Sequence, residues 1–358
     1  MNRDPILFRV DASPEAGYER LLRCMAYGSA LQRRRRPTYF LSQLEPRHLG
    51  LNIKRGGCDW LEADATVGTP EDEVETIQEI RRLKAAAVIV DSANASESYL
   101  AALMKTGTCV VSIDHLANIR LPSQLVINPL LGPGREAYEH ADDTQLLLGW
   151  RYALVRPEIR RVRPLRSQEP VLPFSALVAL GDDDPNRKSL ELAKVLMNVP
   201  KVERVDVVVR QEHPDLLALQ ALAEANPERL KVALEMSEIT ARVARCHFAV
   251  TSGNGFSLEL ACVGVPQLLI VQAEAMWPTA QRLEEEGAAT CLGWHESVSA
   301  GTIRTAVQNL LGDPLERQAM SRCGRQLIDA RGPDRMVTAL EVMLHPSRNI
   351  RAGFAEAA

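Results

Sequence analysis

The sequence predicts an α/β protein of two successive Rossmann-like domains, each a parallel sheet flanked by helices. Three observations predict it. Short β-branched or apolar runs alternate with amphipathic stretches along nearly the whole chain. The alternation pauses once, in a basic, proline-containing stretch, and then restarts. A chain of 358 residues that is 46% apolar and 25% charged suits two domains, each burying its own core.

In the first domain, residues 1–160, strands are expected at 6–10, 38–41, 87–90, 109–113 and 125–127, with helices at 15–32, 71–84 and 96–106. The charge run Arg33 to Arg36 ends the first helix, where cations complement the negative end of its dipole; a polyanion site is the less favoured reading. Residues 161–173 have linker composition, and Arg160, Arg161, Arg163 and Arg166 around them receive the same interpretation. The second domain, residues 174–358, is expected to carry strands at 176–180, 204–209, 231–234, 248–251 and 267–271, with helices at 186–197 and 215–225. Ligands of such sheets lie beyond the carboxyl ends of the strands, here expected in a cleft between two facing domains.

The formal charge is −4, from 42 Lys and Arg against 46 Asp and Glu, so no nucleic-acid partner is expected. The seven cysteines are scattered, odd in number and free of any C-x-x-C pair, which reads as reduced thiols rather than a disulfide or zinc framework. Residues 1–10 lack the apolar segment of a signal peptide. No run approaches the roughly 20 residues of a membrane span. The expected location is cytoplasmic. H-E-x-x-H, G-x-S-x-G and G-x-x-x-x-G-K-[ST] are absent, so zincin, α/β-hydrolase and P-loop chemistry have no support.

Four strand-to-helix turns carry the polar residues that bear on function. After strand 248–251 come Gly253, Asn254, Gly255, Phe256 and Ser257, where small residues let a backbone approach a ligand and the next helix offers N–H groups to an anion. Glu259, one turn further, is an acceptor suited to ribose hydroxyls. Tight packing explains such a turn equally well. Gly181 opens the turn Gly181-Asp182-Asp183-Asp184-Pro185-Asn186, in which Asp184 or Asn186 is expected to cap a helix and a metal reading lacks further ligands. In the first domain, Asp11, Arg20 and Arg23 follow the first strand, Asp91 follows strand 87–90, and His115 ends strand 109–113. His115 is the one histidine expected at a ligand-facing position; His247 is expected to be structural.

The order of these motifs resembles one family across roughly residues 6–340. Phe8-Arg9-Val10-Asp11-Ala12-Ser13, Arg23-Cys24, Val90-Asp91-Ser92, Tyr99-Leu100, Ile113-Asp114 and Arg151-Tyr152-Ala153-Leu154-Val155-Arg156-Pro157-Glu158 resemble the UDP-sugar hydrolases of pseudaminic acid biosynthesis, which serve flagellin and surface-glycan glycosylation. Asp184-Pro185, Gly253 to Glu259, Gly264-Val265-Pro266 and Arg331-Gly332 continue the match. The resemblance implies a glycosyltransferase-B fold, UDP or a UDP-sugar as ligand on the second domain with Glu259 at the ribose, the sugar toward the first domain, and metal-independent hydrolysis without a cofactor.

The departures from the family fall where the ligand is expected. The family's Gly-x-Gly-His becomes Gly17-Tyr18-Glu19-Arg20, and an arginine cannot take a proton from water. Its Asp-Ser-Tyr becomes Asp91-Ser92-Ala93, its Asn-Gln becomes Ala275-Met276, its Gly-Gly becomes Gly181-Asp182 and its Asp-Asp becomes Asp114-His115. Two readings stand beside each other: a nucleotide-sugar-site protein whose hydrolase activity is altered or lost, acting as a binding or assembly subunit with a glycan-biosynthesis partner, or an active hydrolase or transferase on another UDP-sugar. In the second, His115 or Glu19 is the relocated base, with Arg20, Asp11 and Asp91 as further catalytic candidates.

Overall fold

The computed structural model describes residues 4–181, 184–234 and 236–345. The chain divides into two compact units, Met1–Leu154 with Arg331–Ala358, and Val155–Ala330.

The first unit holds a seven-stranded sheet of order β3-β2-β1-β4-β5-β6-β7, built from β1 (Ile6–Arg9), β2 (Thr38–Ser42), β3 (Asp59–Glu62), β4 (Ala87–Val90), β5 (Cys109–Ile113), β6 (Leu125–Asn128) and β7 (Gln145–Leu148). Every pairing is parallel. Parallel sheets are covered on both faces, so their inner strands read as unbroken apolar runs, and β1, β4 and β6 are buried at every position. The helices are α1 (Glu19–Arg33), α2 (Leu49–Arg55), α3 (Pro70–Leu83) and α4 (Glu97–Met104). Thr69 and Ser96 cap α3 and α4 by accepting the backbone N–H of Asp72 and Tyr99, the usual N-terminal solution for orphan donors.

Helix α1 begins four residues later than expected. Residues 13–17 instead close a tight turn in which the Gly17 N–H donates to the Ser13 carbonyl at 2.9 Å and Gly17 takes φ +74°, a conformation that favours glycine.

The second unit holds a six-stranded sheet of order β10-β9-β8-β11-β12-β13, from β8 (Phe174–Val178), β9 (Val202–Val208), β10 (Leu230–Ala233), β11 (Phe248–Thr251), β12 (Gln267–Val271) and β13 (Thr290–Trp294). It too is parallel throughout. Its helices are α5 (Pro157–Arg160), α6 (Lys188–Met197), α7 (Leu216–Ala225), α8 (Met236–Arg245), α9 (Gly255–Val263), α10 (Trp277–Glu285), α11 (Ala300–Gly312) and α12 (Pro314–Leu327). The unexpected strands β3, β7 and β13 all lie at sheet edges, and their side chains are only half-buried or exposed. Their sequences therefore lack the apolar run that marks a central strand.

Two boundaries differ from the sequence expectation. The last helix, α13 (Gly332–Leu344), returns to the first unit, because Met336, Val337 and Leu340 are buried with Tyr27 and Leu31 in one apolar cluster. Arg36 is buried and pairs with Glu341 of α13 at 2.8 Å, so the last member of the charge run ties the chain's end to its beginning. Residues 161–173 are part of the second unit rather than a free linker. Arg163 donates to the carbonyls of Cys262, Ile328 and Arg325, and buried Arg166 donates to Val243, Ala244 and Cys246. These arginines do meet helix C-termini, but those of α8, α9 and α12, whose last carbonyls need donors.

Candidate functional site

An open parallel sheet binds ligands where the strand order reverses, at the carboxyl ends of the two strands that flank the reversal. In this chain the reversals fall between β1 and β4 and between β8 and β11. Most of the polar residues singled out in the sequence lie at these two points.

At the first, Arg23 of α1 faces Asp91 at the end of β4. Both are buried, with Arg23 Nε 2.6 Å from Oδ2 and Nη2 2.5 Å from Oδ1. This two-pronged pairing suits a guanidinium to a carboxylate. Burial alone would lower the Arg23 pKa; Asp91 outweighs it and the net shift is upward. Arg20 lies beside the pair, its Nε 3.8 Å from Asp91 Oδ1 and its Nη1 donating to the Ala16 carbonyl at 3.2 Å. The Cys24 thiol donates to Asp91 at 3.4 Å, and burial followed by the Asp91 charge pushes that thiol well up, which makes it a poor nucleophile.

His115 joins the cluster, its Nδ1 3.5 Å from Arg23 Nη1. Burial first, and then the Arg23 charge, bring its pKa down to about 4. The imidazole is therefore neutral at pH 7 but too weakly basic for efficient proton abstraction there. This has a measurable consequence. Between pH 6.5 and about 4 the unfolded chain protonates this histidine and the folded chain does not, so stability is lost as pH falls through that window, by about 3 kcal/mol in all. His115→Gln should remove that part of the acid dependence. Urea unfolding at pH 7 and pH 4.5 checks it; an unchanged difference between the two pH values would exclude His115 as its source.

Asp11, one of the catalytic candidates, is engaged by neighbouring groups of its own unit. Its carboxylate is 8% exposed, binds the guanidinium of Arg9, and accepts from the backbone N–H groups of Gln43 and Val67 at 2.8 Å each. Arg9 itself is fully buried and also binds Asp72 and the carbonyls of Leu41 and Ala65. Asp91 is likewise committed to Arg23. Glu19 begins α1, close enough to Arg23 to raise its pKa.

At the second reversal, Gly181 after β8 meets the turn after β11. A Cβ on Gly181, whose φ is +113°, would lie 2.8 Å from the Asn254 side-chain nitrogen. Gly253 has φ +85° and no room for a Cβ against Ala280 at 2.9 Å. Asn254 caps α9 by accepting the Ser257 N–H, and Ser257 Oγ accepts the Gly253 N–H at 3.0 Å while donating to Thr251. The turn is thus rigidly braced with the N-terminus of α9 at its mouth. Gly255 begins that helix and Phe256 follows it, with the Arg156 guanidinium 5.6 Å from the Phe256 ring centre.

Glu259 lies 4% exposed in α9. Its carboxylate accepts the backbone N–H of Arg156 at 2.8 Å and the Nε at 2.9 Å from each oxygen, with Nη2 closing the pair. Sequence reasoning singled out Glu259 but not Arg156, which lies 103 residues earlier. His213 is a second omission. It is buried against Asp184, 3.2 Å from Oδ2, and Asp184 also accepts the N–H groups of Lys188 and Ser189. Burial would raise the Asp184 pKa, but the bonds from His213, Ser189 and Lys188 outweigh it and lower it. Asp184 therefore braces the start of α6 as expected, while Asn186 instead bonds Gln272 at 3.0 Å. Asp182 and Asp183 lie outside the described residues. His247 is buried and bonded to Ser175 and Pro170, as expected of a structural histidine. All seven cysteines are free. Among the described residues no helix is long and apolar enough to cross a membrane.

No family model matches the chain. A curated relative, the spore coat polysaccharide biosynthesis protein SpsG of Bacillus subtilis (strain 168), is 24% identical over 221 residues, 61% of this chain and 65% of that protein. The match thus spans somewhat less than two thirds of the relative's length. Among solved structures, MurG of Acinetobacter baumannii superposes with a TM-score of 0.63 at 14% identity, covering 94% of this chain and 99% of that one. The rhamnosyltransferase SpnG complexed with thymidine diphosphate gives 0.66 at 15% over 94% and 100%. Glycosyltransferase VinC in complex with dTDP gives 0.62 at 14% over 96% and 100%. The fold is that of the glycosyltransferase-B type, two Rossmann-like domains in one chain.

Proposed function

We propose that this chain binds a nucleotide sugar, with UDP as the nucleotide, in the synthesis of a surface glycan, and that its chemistry is altered from the hydrolases its sequence resembles. The observation that carries this reading is the junction of Gly181 with Asn254 at the carboxyl ends of β8 and β11, where two positive-φ glycines let the turns pack closely beside the start of α9. A helix start at the carboxyl ends of parallel strands suits a diphosphate. The dTDP and thymidine diphosphate complexes of fold neighbours and the polysaccharide role of the relative support the same class of ligand.

The alteration is read from the first domain. Arg20 stands where the resembled family has histidine, and a guanidinium stays protonated at any working pH. Its charge suits the developing negative charge of a departing phosphate rather than base catalysis. His115, with a pKa near 4, does not supply the missing base, which weakens the relocated-histidine reading. A glycan-biosynthesis protein partner belongs to the same proposal.

Calorimetric titration with UDP, UMP and UDP-N-acetylglucosamine, with and without magnesium, tests it. Saturable binding of UDP, independent of magnesium, is expected. A folded protein that binds none of the three would remove the nucleotide from the reading.

A further inference from the structure

The turn from β8 to α6 is held by three loops of its own unit. Gly181 opens it against Asn254, and Asn186 donates to both the carbonyl and the side-chain oxygen of Gln272 at 3.0 Å. The loop from β9 to α7 supplies two further ties. His213 Nε2 lies 3.2 Å from Asp184 Oδ2, with both side chains 2% exposed, and the exposed Arg187 pairs with Asp215. Asp184 and Arg187 themselves take φ +31° and +54°, left-handed conformations that cost an L-residue free energy and persist only where the surroundings impose them. The direction of the inner bond is fixed. His213 Nδ1 accepts the Asp215 N–H at 3.1 Å, so the proton of the neutral ring is on Nε2 and is donated to Asp184. Asp184 already accepts the N–H groups of Lys188 and Ser189 at 2.9 and 2.7 Å, which is all that bracing the start of α6 requires. A buried imidazole beyond that costs rotamer freedom and desolvation; what it adds is a link from the turn to a second loop.

We propose that His213 is a positioning residue for the nucleotide ligand: through Asp184 it locks the β8–α6 turn in its strained form, so that the Gly181 backbone and the start of α9 meet a diphosphate together without rearrangement. The proposal rests on the nucleotide reading above and adds to it a residue that acts through another side chain rather than on the ligand. Without the imidazole, Asp184 keeps its two N–H bonds, but the turn loses its inner tie, and Asp184 and Arg187 can relax toward ordinary backbone. Binding must then restore the left-handed form and restrict the turn again, a cost that is read as lost affinity. Every group in this chain of contacts belongs to the second unit.

The test uses the full chain, with UDP calorimetry for affinity and amide hydrogen exchange at Lys188 and Ser189 for the turn. His213→Leu should raise the UDP dissociation constant about tenfold and speed exchange at both amides. His213→Gln, whose side-chain amide can still donate to Asp184, should stay within about threefold of the parent. His213→Asn keeps an acceptor for the Asp215 N–H but falls short of Asp184. It should bind UDP as weakly as the leucine variant, and it carries the test if leucine prevents folding. Two results overturn the proposal and leave the nucleotide reading intact: a leucine or asparagine variant that is less stable to urea yet binds UDP as the parent does, or a glutamine variant as weak as leucine. A folded parent that binds no UDP overturns the nucleotide reading, and this proposal with it.

Discussion

Arg9→Leu should cost about 5 kcal/mol of folding free energy, enough to unfold a typical domain of marginal stability. Arg9 is fully buried, and its guanidinium lies between two carboxylates, those of Asp11 and Asp72, which are 8% and 0% exposed. Removing it leaves both acids buried without their cation. Breaking one buried ion pair costs about 3–5 kcal/mol, because the remaining charge keeps its desolvation penalty; here two acids lose the same partner. The acids retain bonds from Gln43, Val67, Gly68 and Thr76, which holds the expected cost near the top of that range rather than at twice it. Chemical denaturation followed by a first-domain probe such as Trp60 fluorescence checks this. A companion variant, Arg9→Leu with Asp11→Asn and Asp72→Asn, should recover a good part of the loss, since no charge is then stranded. A loss below about 1 kcal/mol in the single variant would mean the acids are hydrated or protonated without penalty.

The second large effect is expected at Glu259. If its carboxylate served the ligand alone, Glu259→Ala would weaken UDP binding by about 1.5–3 kcal/mol and leave stability nearly unchanged. In the structure both oxygens are already engaged by Arg156, so the substitution should also destabilise the second domain by about 3–5 kcal/mol. Arg156→Met alone should cost a similar amount, and the double variant less than the sum of the two, the signature of a coupled pair. Denaturation of the four proteins measures the coupling. Additive losses would show that Arg156 and Glu259 act independently, and normal stability with weakened UDP binding would return Glu259 to a ligand role only.

The central strands were legible because parallel strands buried on both faces are written as largely apolar runs, and residues 87–90, 109–113 and 248–251, interrupted only by Ser112 and Thr251, are such runs. The edge strands were not, because Asp59–Glu62 and Gln145–Leu148 are only partly covered and carry polar ends. In the candidate site, Gly253, Asn254 and Ser257 were legible because a glycine turn followed by a helix cap is a local pattern. The partners of Asp11 were not legible for the complementary reason. A carboxylate at the end of a strand has the same sequence signature whether it faces a ligand or a buried arginine, and only the position of Arg9 decides between them.

The amino-acid sequence determined the fold class, two alternating β/α domains with polar residues gathered at strand carboxyl ends, because periodicity and turn chemistry are properties of neighbouring residues. Tertiary structure alone decided which of those residues are free. The pairing of Arg156 with Glu259 spans 103 residues, that of Arg23 with Asp91 spans 68, and the return of α13 to the first unit brings Glu341 to Arg36 across 305. Each depends on burial and charge meeting in space, which no local pattern records.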